Sequence, residues 1–359
     1  MVYRKGLEAV EQGDLGGAAR YFRQAARKWP QVGWFAYRLA SVLLAMGCQE
    51  EADRIFAQGH SMRVAPDLVT DTRILLVGPK HFAALSGALM EPGISVIDRE
   101  PWRDLAATLL FLCCDASYFK LYAGAAIASA LANGAADIAC HIHIVNPDSD
   151  ATGEQARLSR RHSGRAVSFS SESSDLSRRS DTERKVYYAC RRFQLLPAIL
   201  RRAGAPVIVA DIDQLVVRGL DPVLAAVREA DVGLIQFSEL AYASPLAAIS
   251  ASAVVAGASD GARRYFELVA AYITHCLERD LWVWHLDQAA LFGAKLMVEA
   301  QGEPVRIHLL NPAILESTGF DPVATGEPAP GTVFWSITHS LPANAAKRGL
   351  DLFERYSTP

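Results

Sequence analysis

The chain has 359 residues, which exceeds one ordinary domain and suits two or more. Hydrophobic residues make up 51% of it and charged residues 21%, proportions that exclude a disordered chain and a fibrous repeat. The formal net charge is −3, so no overall charge attracts the protein to nucleic acid or to an anionic membrane. We therefore expect no nucleic-acid partner, and any anionic ligand must be bound by local features.

The sequence shows no export signal and no membrane span. The amino terminus lacks the apolar stretch of a secretory signal, and no window reaches the roughly 20 uninterrupted apolar residues of a transmembrane helix. We therefore expect a cytoplasmic protein without a transmembrane segment. The six cysteines form no CxxC pair and mostly lie in apolar runs, which predicts reduced cysteines in the core.

Near the amino terminus, small and aromatic residues recur with a period of 34. The first copy contains Gly6, Ala18, Phe22, Ala25 and Pro30. In tetratricopeptide repeats, small residues at this spacing let paired helices approach and an aromatic ring fills the gap between them. Residues 1–66 therefore resemble two such repeats, and we expect them to pack on the following domain because two repeats rarely fold alone. They offer a surface for a protein partner, and generic helical hairpins are the alternative interpretation.

The remaining chain has the pattern of an α/β protein. Residues 67–104 contain short apolar runs between turn residues, which predicts a bridging βαβ segment. From 105 to 359, apolar strands alternate with helices, as in a mostly parallel sheet covered on both faces. The predicted strands are 108–114, 139–145, 206–210, 232–237 and 248–255, and the predicted helices are 118–133, 185–203, 261–279 and 285–298. The stretch 148–181, rich in serine and arginine, is predicted to be a long surface loop with one strand near 166–170.

Two aspartates, Asp211 and Asp213, follow the apolar strand 206–210. Alternation along the chain would direct both side chains to one face. Two carboxylates placed together repel each other, and a divalent cation such as Mn²⁺ or Mg²⁺ resolves that conflict. The pattern therefore predicts a metal site that would neutralise a departing diphosphate, with helix capping or surface carboxylates as the alternative.

Four further motifs accompany this pair. They are the strand end Asp115-Ala116-Ser117-Tyr118, the pair Arg191-Arg192, the pair Asp287-Gln288, and His339 after an apolar run. In this order the motifs resemble the GT-A-fold glycosyltransferases, especially the family 8-like group of lipopolysaccharide galactosyltransferases and glycogenin, over residues 108–345. The resemblance implies a GT-A nucleotide-diphospho-sugar transferase fold, which is α/β with a Rossmann-like mixed sheet, preceded here by the all-α repeat segment.

The resemblance also implies how the donor is bound. Asp115, Ser117 and Tyr118 would seat the nucleotide base, with the acid on the ring imide and the aromatic ring stacked on uracil. Arg192, or its neighbour Arg191, would contact the phosphates and the sugar, and helical spacing does not decide between the two arginines.

The other implied roles concern the metal and the sugar. His339 would join Asp211 and Asp213 as the third metal ligand. Asp287 and Gln288 would orient the transferred sugar, with Gln288 under the reacting carbon; capping of a helix explains Asp287 equally well.

The chain departs from the family pattern at two places. Relatives continue after the histidine with a glycine and then a lysine, whereas the nearest lysine here is Lys347. Relatives also carry Asn-Ala-Gly where this chain has Ser250-Ala251-Ser252. These differences leave the sugar preference and full activity open.

Aromatic and histidine pairs add two weaker candidates. Trp282 and Trp284 flank the Asp287 motif and predict either a sugar platform or core packing. His141 and His143 share one strand face without a third ligand nearby, which favours a packed pair over a metal site.

The sequence therefore predicts a metal-dependent glycosyltransferase that moves a sugar from a nucleoside diphosphate donor, UDP-linked by resemblance, to an unidentified protein, lipid or glycan acceptor. Retention of anomeric configuration is implied by the resemblance alone. One alternative is a decayed transferase domain that serves as a repeat-containing scaffold. Another is a nucleotidyltransferase, which is disfavoured because the glycine-rich amino-terminal loop of that class is missing.

Overall fold

The structure is a computed structural model. It describes residues 2–30, 33–48, 50–52, 54–55, 108–134, 137–236, 249–282, 284–302, 304–317 and 328–336. The predicted bridging segment 67–104 and His339 lie outside the described residues.

Three helices begin the chain: α1 (Val2–Glu11), α2 (Leu15–Lys28) and α3 (Gly33–Ala45). Gly6 and Phe22 pack as the repeat spacing predicts, because a Cβ at Gly6 would lie 2.5 Å from the Phe22 ring. The guanidinium of Arg38 on α3 lies 5.3 Å from the ring centroid of Phe292, so the helical segment contacts the following domain. Much of the predicted second repeat lies outside the described residues.

Ten strands and seven further helices of the following domain are described. The strands are β1 (Thr108–Asp115), β2 (Ile138–Val145), β3 (Val167–Glu172), β4 (Val207–Ala210), β5 (Gln214–Val216), β6 (Val232–Gln236), β7 (Ile249–Ala256), β8 (Ile307–Leu310), β9 (Leu315–Ser317) and β10 (Phe334–Ser336). The helices are α4 (Ala116–Asn133), α5 (Ser149–Arg161), α6 (Asp181–Ala203), α7 (Asp221–Leu224), α8 (Ala226–Glu229), α9 (Asp260–Glu278) and α10 (Leu286–Gln301).

The main sheet has seven strands in the order β3-β2-β1-β4-β7-β6-β8. Strands β1 to β4 are parallel, β7 is antiparallel to both of its neighbours, and β8 is parallel to β6. A second sheet has the order β5-β10-β9. This mixed, mostly parallel sheet confirms the predicted α/β class and fits a GT-A, Rossmann-like fold.

Alternate residues of β1 enter two separate cores. Leu109 and Phe111 pack with α6, α9 and α10 on one face, whereas Leu110 and Leu112 pack with α4 on the other. All four are at most 2% exposed. Burial on both faces explains the continuous apolar sequence of β1.

The expected long loop over 148–181 was wrong. The chain there forms helix α5 and strand β3, which pairs in parallel with β2. Asp148 starts the helix by accepting a hydrogen bond from the Ala151 amide at 2.7 Å, and Ala151 and Leu158 are fully buried beneath an otherwise polar helix. Because only these few apolar contacts hold α5, composition alone hid it.

Two exclusions from sequence can be compared with the described residues. None of the described helices combines the length and the apolar character needed to cross a bilayer. All six cysteines are free, and five of them are buried while Cys48 is exposed.

Candidate active site

Acidic side chains gather where β1, β3 and β4 end, which we call the carboxyl edge of the sheet. Asp115 closes β1 and Glu172 closes β3, and the register places both level with Val145 of β2. Asp211 follows the last residue of β4 directly. Parallel strands end on the same side, so the sheet brings together acids that lie far apart in sequence.

Asp211 and Asp213 lie in the turn that joins β4 to β5. The Asp211 amide donates to the Ser252 carbonyl of β7 at 3.1 Å, and the Gln214 amide donates to the Asp211 carbonyl at 3.2 Å. Burial and the negative charge of Asp211 raise the pKa of Asp213 to about 8, although Arg192 opposes the shift. The half-buried Asp213 carboxyl therefore takes up a proton at neutral pH unless another cation compensates its charge.

Arg192 supplies the positive charge of this centre. It projects from α6, is 3% exposed, and donates to Asp211 and, at 3.0 Å, to Oδ2 of Asp287. The two carboxylates raise the pKa of Arg192 against the opposing effect of burial, so the guanidinium stays charged. Its Nε is buried without a hydrogen-bond partner among the described residues. Three acids thus share one arginine.

Asp287 and Gln288 open helix α10 beside this arginine. His285 precedes them in a left-handed conformation with φ +67°, and the Asp287 side chain turns inward, where it is 6% exposed. Its Oδ1 accepts from the Gln288 amide at 2.9 Å, so it also caps the helix. The Gln288 Oε1 is buried and has no hydrogen-bond partner among the described residues.

Asp115, Ser117 and Tyr118 surround the start of helix α4. Asp115 caps the helix, because its Oδ1 accepts from the Tyr118 amide at 2.8 Å, and Ser117 is exposed. Burial and the charges of Asp213, Asp115 and Asp211 raise the pKa of Tyr118. The half-buried Tyr118 ring therefore lies close to all three acids, and it meets the Tyr122 ring edge-on at 5.3 Å.

Arg191 points to a different acid from Arg192. It donates from Nε to both oxygens of Glu172, at 2.8 and 3.0 Å. Tyr187, one turn earlier on α6, donates its hydroxyl to Oε1 of Glu172 at 3.1 Å. Although burial opposes the shift, hydrogen bonds from His143 and Arg191 lower the pKa of Glu172 to about 2. The question that helical spacing left open is thereby answered for contacts within the protein.

The histidine pair belongs to the same buried region. His141 and His143 are fully buried, and each shares a hydrogen bond of 2.8 Å with the Ser170 hydroxyl. Burial, the neighbouring His143 and Arg202 lower the pKa of His141 to about 3, so it is neutral. Within the described part of the chain, no three metal-binding side chains come together. The pair is packed, as the sequence favoured.

Of the two tryptophans, only Trp284 is exposed to a large extent, at 48%. Trp282 is half-buried, and it stacks on the Tyr187 ring at 6.1 Å while the Arg179 guanidinium covers it at 4.1 Å. Trp282 therefore packs within the fold, which is one of the two readings the sequence allowed.

Strand β10 leads toward the aspartate turn. It pairs antiparallel with β5, and its last residue, Ser336, lies opposite Gln214, next to Asp213. His339 follows Ser336 by three residues, a length of chain that spans at most about 10 Å. The metal role predicted for His339 lies outside the described residues.

Sequence reasoning missed Glu172 and Tyr188. Glu172 was hidden because β3 was expected to end near residue 170 inside a loop. Burial and the charge of Asp115 raise the pKa of Tyr188, which places this half-buried tyrosine near the base-binding candidates. The signal available was the tyrosine pair ahead of Arg191 on a predicted helix.

The donor set of the aspartate turn fits a divalent cation. Arg192 reaches one oxygen of Asp211, and the raised pKa of Asp213 reflects negative charge that Arg192 does not balance. Carboxylate oxygens are hard ligands of the kind that Mg²⁺ and Mn²⁺ take. The residues present therefore suit such an ion.

Comparison with known proteins gives structural neighbours only. No family model matches the chain, and no curated protein matches it. The galactosyltransferase LgtC in complex with donor and acceptor sugar analogs is 15% identical, with a TM-score of 0.49 over 70% of this chain and 97% of that chain. Mouse xyloside xylosyltransferase 1 is 11% identical, with a TM-score of 0.41 over 66% and 99% of the two chains. The glycosyltransferase GlyE of Streptococcus pneumoniae TIGR4 is 12% identical, with a TM-score of 0.43 over 71% and 61%.

Proposed function

We propose that this protein is a metal-dependent glycosyltransferase that takes a sugar from a nucleoside diphosphate donor, UDP-linked, and gives it to an acceptor not yet identified. The observation that carries the proposal is the unbalanced charge at the carboxyl edge, where Asp211, Asp213 and Asp287 share Arg192. A centre with excess carboxylate attracts a divalent cation, and phosphate oxygens are the partners such a cation takes next.

Asp211 and Asp213 would hold Mn²⁺ or Mg²⁺, with His339 as a third ligand. The bound ion would neutralise the charge that develops on the departing diphosphate. Arg192 is bound on both sides by carboxylates, so its role is to hold Asp211 and Asp287 in place, and a direct phosphate contact would require it to leave one of them.

Gln288 and Asp287 would orient the sugar. The buried, unpartnered Oε1 of Gln288 is an acceptor with no protein donor among the described residues, and a sugar hydroxyl would satisfy it. Asp287 holds the start of α10 and Arg192 together, which keeps Gln288 in a defined orientation.

Asp115 and Tyr118 would seat the base. Only Oδ1 of Asp115 is used for the helix cap, so its second oxygen is available to a ring N–H. The half-buried Tyr118 ring offers a face for a pyrimidine. The exposed Ser117 hydroxyl lies beside them in sequence.

Calorimetry of UDP-glucose and UDP-galactose with and without Mn²⁺ tests this proposal. We expect Mn²⁺ to increase donor affinity at least about tenfold in the wild type and to have little effect in Asp213→Asn. The matched control is Asp231→Asn, since Asp231 is also a buried acid paired with an arginine but precedes β6 at the opposite edge of the sheet.

Hydrolysis of the labelled donor separates an active enzyme from the decayed scaffold. Slow Mn²⁺-dependent release of sugar by the wild type supports the transferase. Donor binding without any turnover on a wide panel of acceptors favours the scaffold, and absence of Mn²⁺-enhanced binding refutes the proposal.

A further inference from the structure

Helix α6 carries two neighbouring arginines that separate toward two acids. Adjacent residues of a helix project about 100° apart, so Arg191 and Arg192 cannot enter one site together. Arg191 reaches Glu172 at the end of β3, and Arg192 reaches Asp211 after β4. These strands lie three positions apart in the sheet, a separation of about 14 Å. The helix is therefore held from both sides.

Glu172 is the more saturated of the two anchors. The side chain is 7% exposed and accepts from Arg191, from the Tyr187 hydroxyl at 3.1 Å and from the Ser174 hydroxyl at 3.4 Å. Arg191 and Tyr187 lie one turn apart on α6, so a single carboxylate binds one face of the helix at two levels. Such an arrangement resists rotation of the helix about its axis.

Both arginines lie close to the same residue of β1. Arg191 and Arg192 each act on the buried Cys113 thiol and oppose the rise in its pKa that burial and Glu172 cause. Strand β1 lies between β2 and β4, so Cys113 marks the point over which the helix passes. Rotation that moved Arg191 off Glu172 would also move Arg192 relative to Asp211.

We propose that Glu172 is a positioning residue that, through Arg191 and Tyr187, fixes the rotation of helix α6 and so holds Arg192 between Asp211 and Asp287. The catalytic meaning of this inference rests on the proposed function. The positional claim concerns Arg192 itself and is tested without a ligand.

The test is solvent exchange of the Arg192 Nε–H in the full chain labelled with ¹⁵N-arginine, with the signal assigned through Arg192→Lys. This group is buried in the wild type, so its exchange should be slow. In Glu172→Gln we expect exchange at least about tenfold faster, because the helix opens locally more often. The matched control is Asp231→Asn, which removes a buried acid that accepts from Arg306 and Ser259 at the opposite edge and should leave the Arg192 signal unchanged.

Exchange in Glu172→Gln that stays within about twofold of the wild type overturns the proposal. Equal acceleration in Asp231→Asn overturns it as well, because the effect would then be a general loss of stability. The variant Glu172→Gln/Arg191→Gln covers the case in which an uncompensated Arg191 charge prevents folding. Faster Arg192 exchange in this double variant supports the proposal, and wild-type exchange contradicts it.

A second measurement links the position of Arg192 to the proposed chemistry. We expect the rate constant for Mn²⁺-dependent UDP-sugar hydrolysis to fall about tenfold in Glu172→Gln while donor KM changes little, because Arg192 and Asp287 act on geometry at the sugar. An unchanged rate constant contradicts a catalytic role for Glu172. Failure of the wild type itself to bind or hydrolyse the donor would refute the proposed function, and the exchange experiment would still decide the positional claim.

Discussion

Two acid–arginine clusters lie on the same edge of one sheet and differ in charge balance. The Glu172 cluster contains one carboxylate that meets Arg191 and Tyr187, and the pKa of Glu172 falls to about 2. The aspartate centre contains Asp211, Asp213 and Asp287 around Arg192, and the pKa of Asp213 rises to about 8. One helix supplies an arginine to each.

The difference teaches what separates a structural charge from a binding one. Burial acts in the same direction on both carboxylates, so the opposite shifts arise from their partners. A saturated acid contributes to stability, whereas an unsaturated cluster is a candidate for binding a further cation. The predictions below test that contrast.

The largest effect is expected from Arg192→Met. This change leaves the carboxylate of Asp287, which is 6% exposed, without its cation, and breaking a buried ion pair costs about 3–5 kcal/mol of unfolding free energy. Denaturant unfolding measures the loss, and Arg192→Lys should lose less because the charge stays. A loss below about 1 kcal/mol would mean that Arg192 is not the organising charge of the centre.

The alkaline side of the stability profile should depend on Asp213. A raised pKa means that the folded state binds this proton more tightly than the unfolded chain, so the contribution is complete below about pH 4 and is lost as pH rises through about 8. With a chelator present, the melting temperature of the wild type should fall between pH 5 and 8 more steeply than that of Asp213→Asn. Equal slopes in the two proteins would contradict the pKa assigned to Asp213.

The acid side should depend on Glu172. Its pKa lies below the ordinary value of 4.5, so its contribution is present above that pH and is lost as pH falls toward about 2. Circular dichroism between pH 5 and 2 should find Glu172→Gln less stable than the wild type at pH 5, with the difference narrowing toward pH 2. A constant difference across this range would mean that the ion pair does not titrate as described.

The smallest effect concerns Asp115, which lies on the strand between the two clusters. Asp115→Ala removes the cap of helix α4 and should lower the unfolding free energy by about 1 kcal/mol, whereas Asp115→Asn keeps the cap and should be nearly neutral. If Asp115 also reads the base, UMP affinity should fall in both variants. Weaker UMP binding in the alanine variant alone would indicate a structural role only.

Much of the central sheet was predictable from local pattern. The strands at 108–114, 139–145 and 206–210 agree with β1, β2 and β4 within one residue at each end, because strands buried on both faces are continuously apolar. The aspartates after β4 were identified for the same reason, since a polar pair directly after an apolar strand marks a strand end. Helix α5 was missed because only Ala151 and Leu158 are buried on it.

The partnerships at the edge were not predictable. The sequence could not tell whether Arg191 or Arg192 enters the aspartate centre, since both choices satisfy helical spacing. Glu172 escaped notice because its partners lie on β2 and α6, and a carboxylate at the end of a short polar strand has no local signature.

The amino-acid sequence by itself determined which segments are apolar enough to form the buried strands, and it placed acids and arginines at their ends, because hydrophobic periodicity is a local property of the chain. Only the tertiary structure decided which acid each arginine meets, and hence which carboxyl loses its proton easily and which retains it. That outcome depends on strand order and helix rotation, since electrostatic partners are selected by distance in space rather than by separation along the chain.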